Sequence, residues 1–149
     1  MSLVRRITIA LIASLGLLLT SVLSASGATG GVPFVVDLTG EAEVTNTGVP
    51  NQGDLDGSGT ASLTINPGLR EVCWRIEVEG VDPITAAHIH IGSTTTTGPI
   101  VVPLNPYTGG CTDIDRELAI AIISDPGSYY VNVHNATYPL GALRGQLDR

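Results

Sequence analysis

The chain has three histidines, His88, His90 and His134, and their spacing fits the chemistry of a transition-metal site. His88 and His90 stand two apart, so on a β-strand both imidazoles leave one face while Ala87, Ile89 and Ile91 take the other. Tyr130, Asn132 and His134 share a face by the same rule, with Tyr129, Val131 and Val133 opposite. If the two strands are neighbours, three imidazoles converge. Neutral imidazole suits zinc, copper, nickel or iron, with zinc or copper the expected ions. Three His ligands with an open fourth position are also a geometry of catalytic and exchangeable sites. Arg144 and Gln146 alternate onto one face of the last strand. They could stand behind the ligands or bind an anion. The same residues also allow a different reading: a His-x-His pair completed by Asn132 and Arg144 into a buried hydrogen-bonded network.

Other motifs carry less. Asp54-Leu55-Asp56-Gly57-Ser58-Gly59 has the look of a calcium loop. In EF-hand register, however, Leu63 falls where a bidentate Glu is needed, so a polar turn is expected. Asn135-Ala136-Thr137 is a glycosylation sequon, relevant only in a eukaryotic host. The chain has no G-x-S-x-G, P-loop or H-E-x-x-H constellation. Glu77 and Glu79 share a wet strand face and read as solvated acids.

The elements that must position the histidines read as all-β. Glu71–Gly80 is the clearest strand, with Val72, Trp74, Ile76 and Val78 on one face and Cys73, Arg75, Glu77 and Glu79 on the other. Strands are also expected at residues 33–38, 60–65, 86–91, 100–104, 128–134 and 143–147. About seven short strands broken by Gly/Pro turns predict a Greek-key β-sandwich or barrel. One short helix is expected near residues 115–123, with Thr112 and Asp115 at capping-box spacing and Asp125-Pro126-Gly127 as its stop.

The N-terminus reads as an export signal. Arg5-Arg6, the apolar stretch Ile7–Leu23 and the small residues Ser24–Ala28 follow the order of a secretory signal peptide over residues 1–27. An uncleaved membrane anchor and a twin-arginine signal are the alternatives. Residues 28–149 then form one domain, the size expected of 149 residues in all. All seven basic residues are Arg; loss of Arg5 and Arg6 leaves five against 14 acids, a formal charge of −9. That balance excludes general nucleic-acid binding and disfavours an anionic lipid surface, so neither nucleic acid nor membrane is an expected partner of the mature domain. In an exported chain two Cys, Cys73 and Cys111, most economically form one disulfide; two free thiols or a metal pair are the alternatives.

Three stretches together resemble the CHRD domain, named for its occurrence in chordin and widespread in bacterial exported proteins. They are Leu38–Val44 with Asp56–Ala61; Ala86–Gly92 with Gly98–Val102; and Tyr129–His134 with Tyr138–Leu147, the last being the most specific. Order and spacing match across nearly the whole mature chain. Ser93-Thr94-Thr95-Thr96-Thr97 departs from the family's glycine-rich turn. The resemblance implies a β-sandwich module of superoxide-dismutase-like or immunoglobulin-like type, and the His-x-His strand is similar to one in the copper–zinc dismutase barrel. Three His cannot supply that enzyme's bimetallic set. The family carries no single activity. The expectation is therefore a secreted, periplasmic or cell-envelope module that binds an extracellular protein or ligand without catalysis. An extracytoplasmic metalloenzyme, redox or hydrolytic, using the same three His is the competing class.

Overall fold

A computed structural model describes residues 30–148, so the signal peptide read at residues 1–27 and the domain start at residue 28 lie outside the described residues. The described residues form eight strands: β1 (Val32–Thr39), β2 (Ser58–Asn66), β3 (Glu71–Glu79), β4 (Ile84–Ile91), β5 (Ile100–Pro103), β6 (Gly109–Asp113), β7 (Tyr129–Asn135) and β8 (Leu143–Gln146). They form one antiparallel sheet in the order β5-β4-β7-β8-β1-β2-β3-β6. The fold is all-β, as the alternation dictates. Successive elements cross between the half β6-β3-β2-β1 and the half β8-β7-β4-β5 three times.

The two halves meet along a short seam. β1 and β8 share a single ladder pair, Thr39 opposite Arg144. Next to it Gly145 passes so close to the Asp37 carbonyl and Val36 that any Cβ would collide with them. The inner face carries one hydrophobic cluster, including Phe34, Leu63, Val72, Trp74, Ile89 and Val131, and the helix α1 (Arg116–Ser124) adds Ala119 and Ile122 to it. Each such side chain contributes roughly 1.5–3 kcal/mol on burial, so the inner face alone gives the sheet its reason to curl around a core.

β6 is the strand that sequence pattern misses, because Gly109-Gly110 reads as loop. Its Gly110 lies against the Trp74 indole, whose Nε1 donates to the Pro106 carbonyl at 2.9 Å. The pairing sets Cys111 directly opposite Cys73, and the two form a disulfide. Helix α1 falls where expected, but its capping box does not form. The chain is still in β6 at Thr112 and Asp113, and Asp115 takes the N-cap position without a side-chain capping bond. No helix of the described residues is long and apolar enough to cross a membrane.

Candidate metal centre

β4 and β7 are neighbours, with His88 opposite Asn132, His90 opposite Tyr130 and Ala86 opposite His134. Their inner residues, Ala87, Ile89, Val131 and Val133, fill the core. Their other face is polar yet covered. Residues 40–54, 92–98 and 138–142 fold over it, tied down by bonds such as Asp54 N–H to the Ala142 carbonyl and Gly92 N–H to the Ser128 carbonyl. This roof puts β7 under cover on both faces, so Tyr130 and Asn132 are buried as fully as Val131.

Beneath it the three imidazoles converge. One ring nitrogen from each of His88, His90 and His134 lies within 4.8 Å of the other two. Three points so spaced share a centre no more than about 2.8 Å from each. His88 Nδ1 and His134 Nε2 are 3.2 Å apart. Two nitrogens bound to one tetrahedral zinc at roughly 2.0–2.1 Å would stand about 3.3–3.4 Å apart, so this edge already has the right length. The widest separation needs to close by only about 1.5 Å to match it.

The hydrogen bonds fix which nitrogens are free. His90 Nδ1 donates to the Gly98 carbonyl at 2.8 Å, and His134 Nδ1 to the Pro139 carbonyl at 3.2 Å. Each bond selects the tautomer whose Nε2 carries a lone pair, which is how metal-ligating imidazoles are oriented. His90 Nε2 is buried and has no hydrogen-bond partner. Burial lowers the pKa of all three rings. For His134 the value falls to about 4, with neighbouring His88 the next cause; for His88 the second cause is His90. The rings are neutral at pH 7, the state a metal requires.

Arg144 and Gln146 hold the roof. Arg144 is fully buried. Its Nη2 donates to the carbonyls of Ser93 (2.5 Å) and Thr96 (3.1 Å), and its guanidinium lies 3.5 Å from the Tyr130 ring centroid. Tyr130 in turn stacks on His90, centroids 4.9 Å apart and planes 10° apart, and its hydroxyl accepts the Gly98 N–H. Guanidinium, phenol and imidazole therefore form a three-layer stack ending at the ring whose Nδ1 Gly98 fixes. Gln146 Nε2 lies 2.7 Å from the Gly92 and Gly127 carbonyls and secures the same loop. The Ser93–Thr97 run thus supplies backbone carbonyls to Arg144.

Asn132 points elsewhere. Its Nδ2 donates to Glu43 Oε1 at 2.6 Å, while its Oδ1 has no partner. Glu43 is 3% exposed and its pKa is raised to about 7 by burial, against the lowering effects of Arg144 and Asn132. The roof around it is tight: at Gly141 (φ +149°) a Cβ would strike the Glu43 carboxyl. Sequence reasoning missed Glu43, which reads as one more surface acid beside Glu41. Its partner is 89 positions away, and no local pattern signals that contact. Glu43, Asn132 and His90 line a cavity of about 550 Å³.

The remaining motifs are structural. Asp54–Gly57 is a turn leading into β2, closed by Gly57 N–H to the Asp54 carbonyl. Asn135, the sequon residue, is 1% exposed and its Oδ1 accepts the Tyr138 N–H. A folded chain therefore presents no glycan acceptor there.

A family model described as CHRD domain matches residues 34–147. No curated protein and no solved structure matches the chain.

Proposed function

The chain belongs to the CHRD domain family, and we propose that it is an exported, non-enzymatic binding or structural module carrying a transition-metal site on His88, His90 and His134. The single observation that carries the metal reading is the pair of Nδ1–H bonds to backbone carbonyls. They leave His90 Nε2 as a free acceptor and His134 Nε2 as an acceptor engaged only by His88 Nδ1. A purely structural network would have given the buried His90 Nε2 a donor, and it has none. Three neutral imidazoles suit zinc or copper and leave one position for a water or an external group. Before metal enters, His88 Nδ1 donates its proton to His134 Nε2. Ligation through His88 Nδ1 requires that proton to move to His88 Nε2, and uptake weakens as pH falls because protons compete for the ring nitrogens. The export reading is supported by the N-terminal pattern and by the Cys73–Cys111 disulfide, a bond characteristic of oxidising compartments.

The test is the metal content of the purified protein by mass spectrometry, beside a His88→Ala/His90→Ala double variant. About one equivalent of zinc or copper, lost in the variant, is expected. Absence of metal from both proteins after reconstitution would overturn the reading and leave the His88–His134 hydrogen bond as architecture.

A further inference from the structure

We infer that the cavity beside His90 is a binding site for a small organic cation, a primary ammonium with an apolar tail, received by the Glu43 carboxylate and the Asn132 side-chain oxygen. The cavity is about 550 Å³ and its wall includes Glu43, Val44, His90, Asn132, Leu140 and Gly141. Its polar wall holds the Glu43 carboxyl, which accepts from the Asn132 amide, and an Asn132 oxygen that lacks a donor. Asn132 is 3% exposed, and its Oδ1 is buried without a hydrogen-bond partner. Leaving such an atom unpaired costs roughly 1–3 kcal/mol, so a donor supplied from outside is favoured there.

The charge balance points the same way. Glu43 is the one carboxylate on this wall, and no Lys or Arg lines it. Among the described residues the ion pairs are Arg70–Asp115 and Arg75–Glu77, both exposed, so Glu43 has no cation in contact. Arg144 is the nearest positive charge; its Nη2 is bound to the carbonyls of Ser93 and Thr96, its face lies on Tyr130, and its buried Nη1 has no hydrogen-bond partner. Burial therefore outweighs Arg144 at Glu43, whose pKa remains raised to about 7. An ammonium group in the cavity gives Glu43 the cation in contact that it lacks. An anion would meet Glu43 directly. A neutral alcohol would satisfy Asn132 but leave the carboxylate uncompensated. Leu140, 92% exposed, and the buried Val44 give the wall apolar surface suited to a short alkyl tail.

Of the three proposed metal ligands only His90 lies on the cavity wall; His88 and His134 lie outside it. The experiment uses metal-free protein in the presence of a chelator. Three probes of matched size are titrated calorimetrically: n-pentylammonium, 1-pentanol and pentanoate. The ammonium is expected to bind saturably and at least tenfold more tightly than the alcohol, with no binding of pentanoate. Glu43→Gln should weaken the ammonium at least tenfold and leave the alcohol within about twofold, as fits the loss of a charge-assisted hydrogen bond. Leu140→Arg, at an exposed position, should weaken the ammonium several-fold by charge repulsion at the mouth. His88→Ala should leave it unchanged, which separates failure of this site from failure of the metal site. Equal affinity for the three probes, no saturable binding, or no effect of both Glu43→Gln and Leu140→Arg would overturn the inference.

Discussion

Replacing Glu43 with Gln should make the metal-free protein more stable at neutral pH, and by an amount that grows with pH. The Glu43 carboxyl is buried under the roof and its pKa rises from 4.5 to about 7. Between those values the folded chain holds a proton that the unfolded chain has released. Stability due to this group is therefore fully present below pH 4.5 and is lost as pH rises through 7. Each pH unit is about 1.4 kcal/mol, so the loss across the window is roughly 3 kcal/mol. Gln keeps an oxygen for the Asn132 amide and carries no charge at any pH. Its stability relative to Glu43 should then climb from near zero at pH 4 to about 3 kcal/mol at pH 8. Urea unfolding of both proteins in chelator, at unit pH intervals from 4 to 8, reads this directly as a difference in midpoint at constant slope. A difference that stays flat with pH, or that shrinks as pH rises, would refute the assignment of a buried, uncompensated carboxyl.

Further outcomes follow from the same geometry. His134 runs opposite to Glu43: its pKa falls to about 4, so the unfolded chain binds the proton first and stability is lost as pH falls from 6.5 towards 4. The loss is up to about 3 kcal/mol, and His134→Asn should flatten that acid limb in the same urea series. Arg144→Met should free the 92–98 loop, lower stability by roughly 2–4 kcal/mol through unpaired buried carbonyls, and weaken metal uptake at least tenfold, read by competition with a chelator; stability loss with unchanged uptake would show that the stack does not orient His90. Cys73→Ser/Cys111→Ser opens a cross-link that spans 38 positions and should lower stability by about 3–4 kcal/mol in the chain-entropy picture, measured as a shift in urea midpoint.

How far the sequence carries depends on whether the determining contacts are local. Period-two alternation marks β3 and β4 plainly, because one face is apolar and the other polar within each strand. It also places His88 and His90 on one side. The convergence with His134 was conditional on β4 meeting β7, a matter of topology rather than pattern. β6 was illegible because two glycines and a cysteine have little strand character; the strand exists because β3 offers it an edge and Trp74 needs room over Gly110. The capping-box spacing at Thr112 and Asp115 misled for a related reason: pairing with β3 holds the chain extended through Asp113, beyond the reach of a cap. Glu43 and the roof were unreadable altogether. Their partners are far along the chain, and a buried acid looks no different in sequence from a solvated one.

The seam between the half-sheets gives Arg144 two tasks in two places. Its backbone makes the one ladder pair joining β8 to β1, while its side chain pins the loop that holds His90. Closure of the whole domain and order at one imidazole are thus coupled through a single residue. An ion that binds only the closed form stabilises it by RT ln(1 + [L]/Kd), so at a hundredfold excess over Kd it adds about 2.7 kcal/mol to the seam as well as to its own site. β8 is also the last strand among the described residues. Until it has docked, a folding polypeptide has β4 and β7 to offer but no latch above them. On the proposed metal reading, loading of the histidines reports a finished fold, and an unfinished one remains empty-handed.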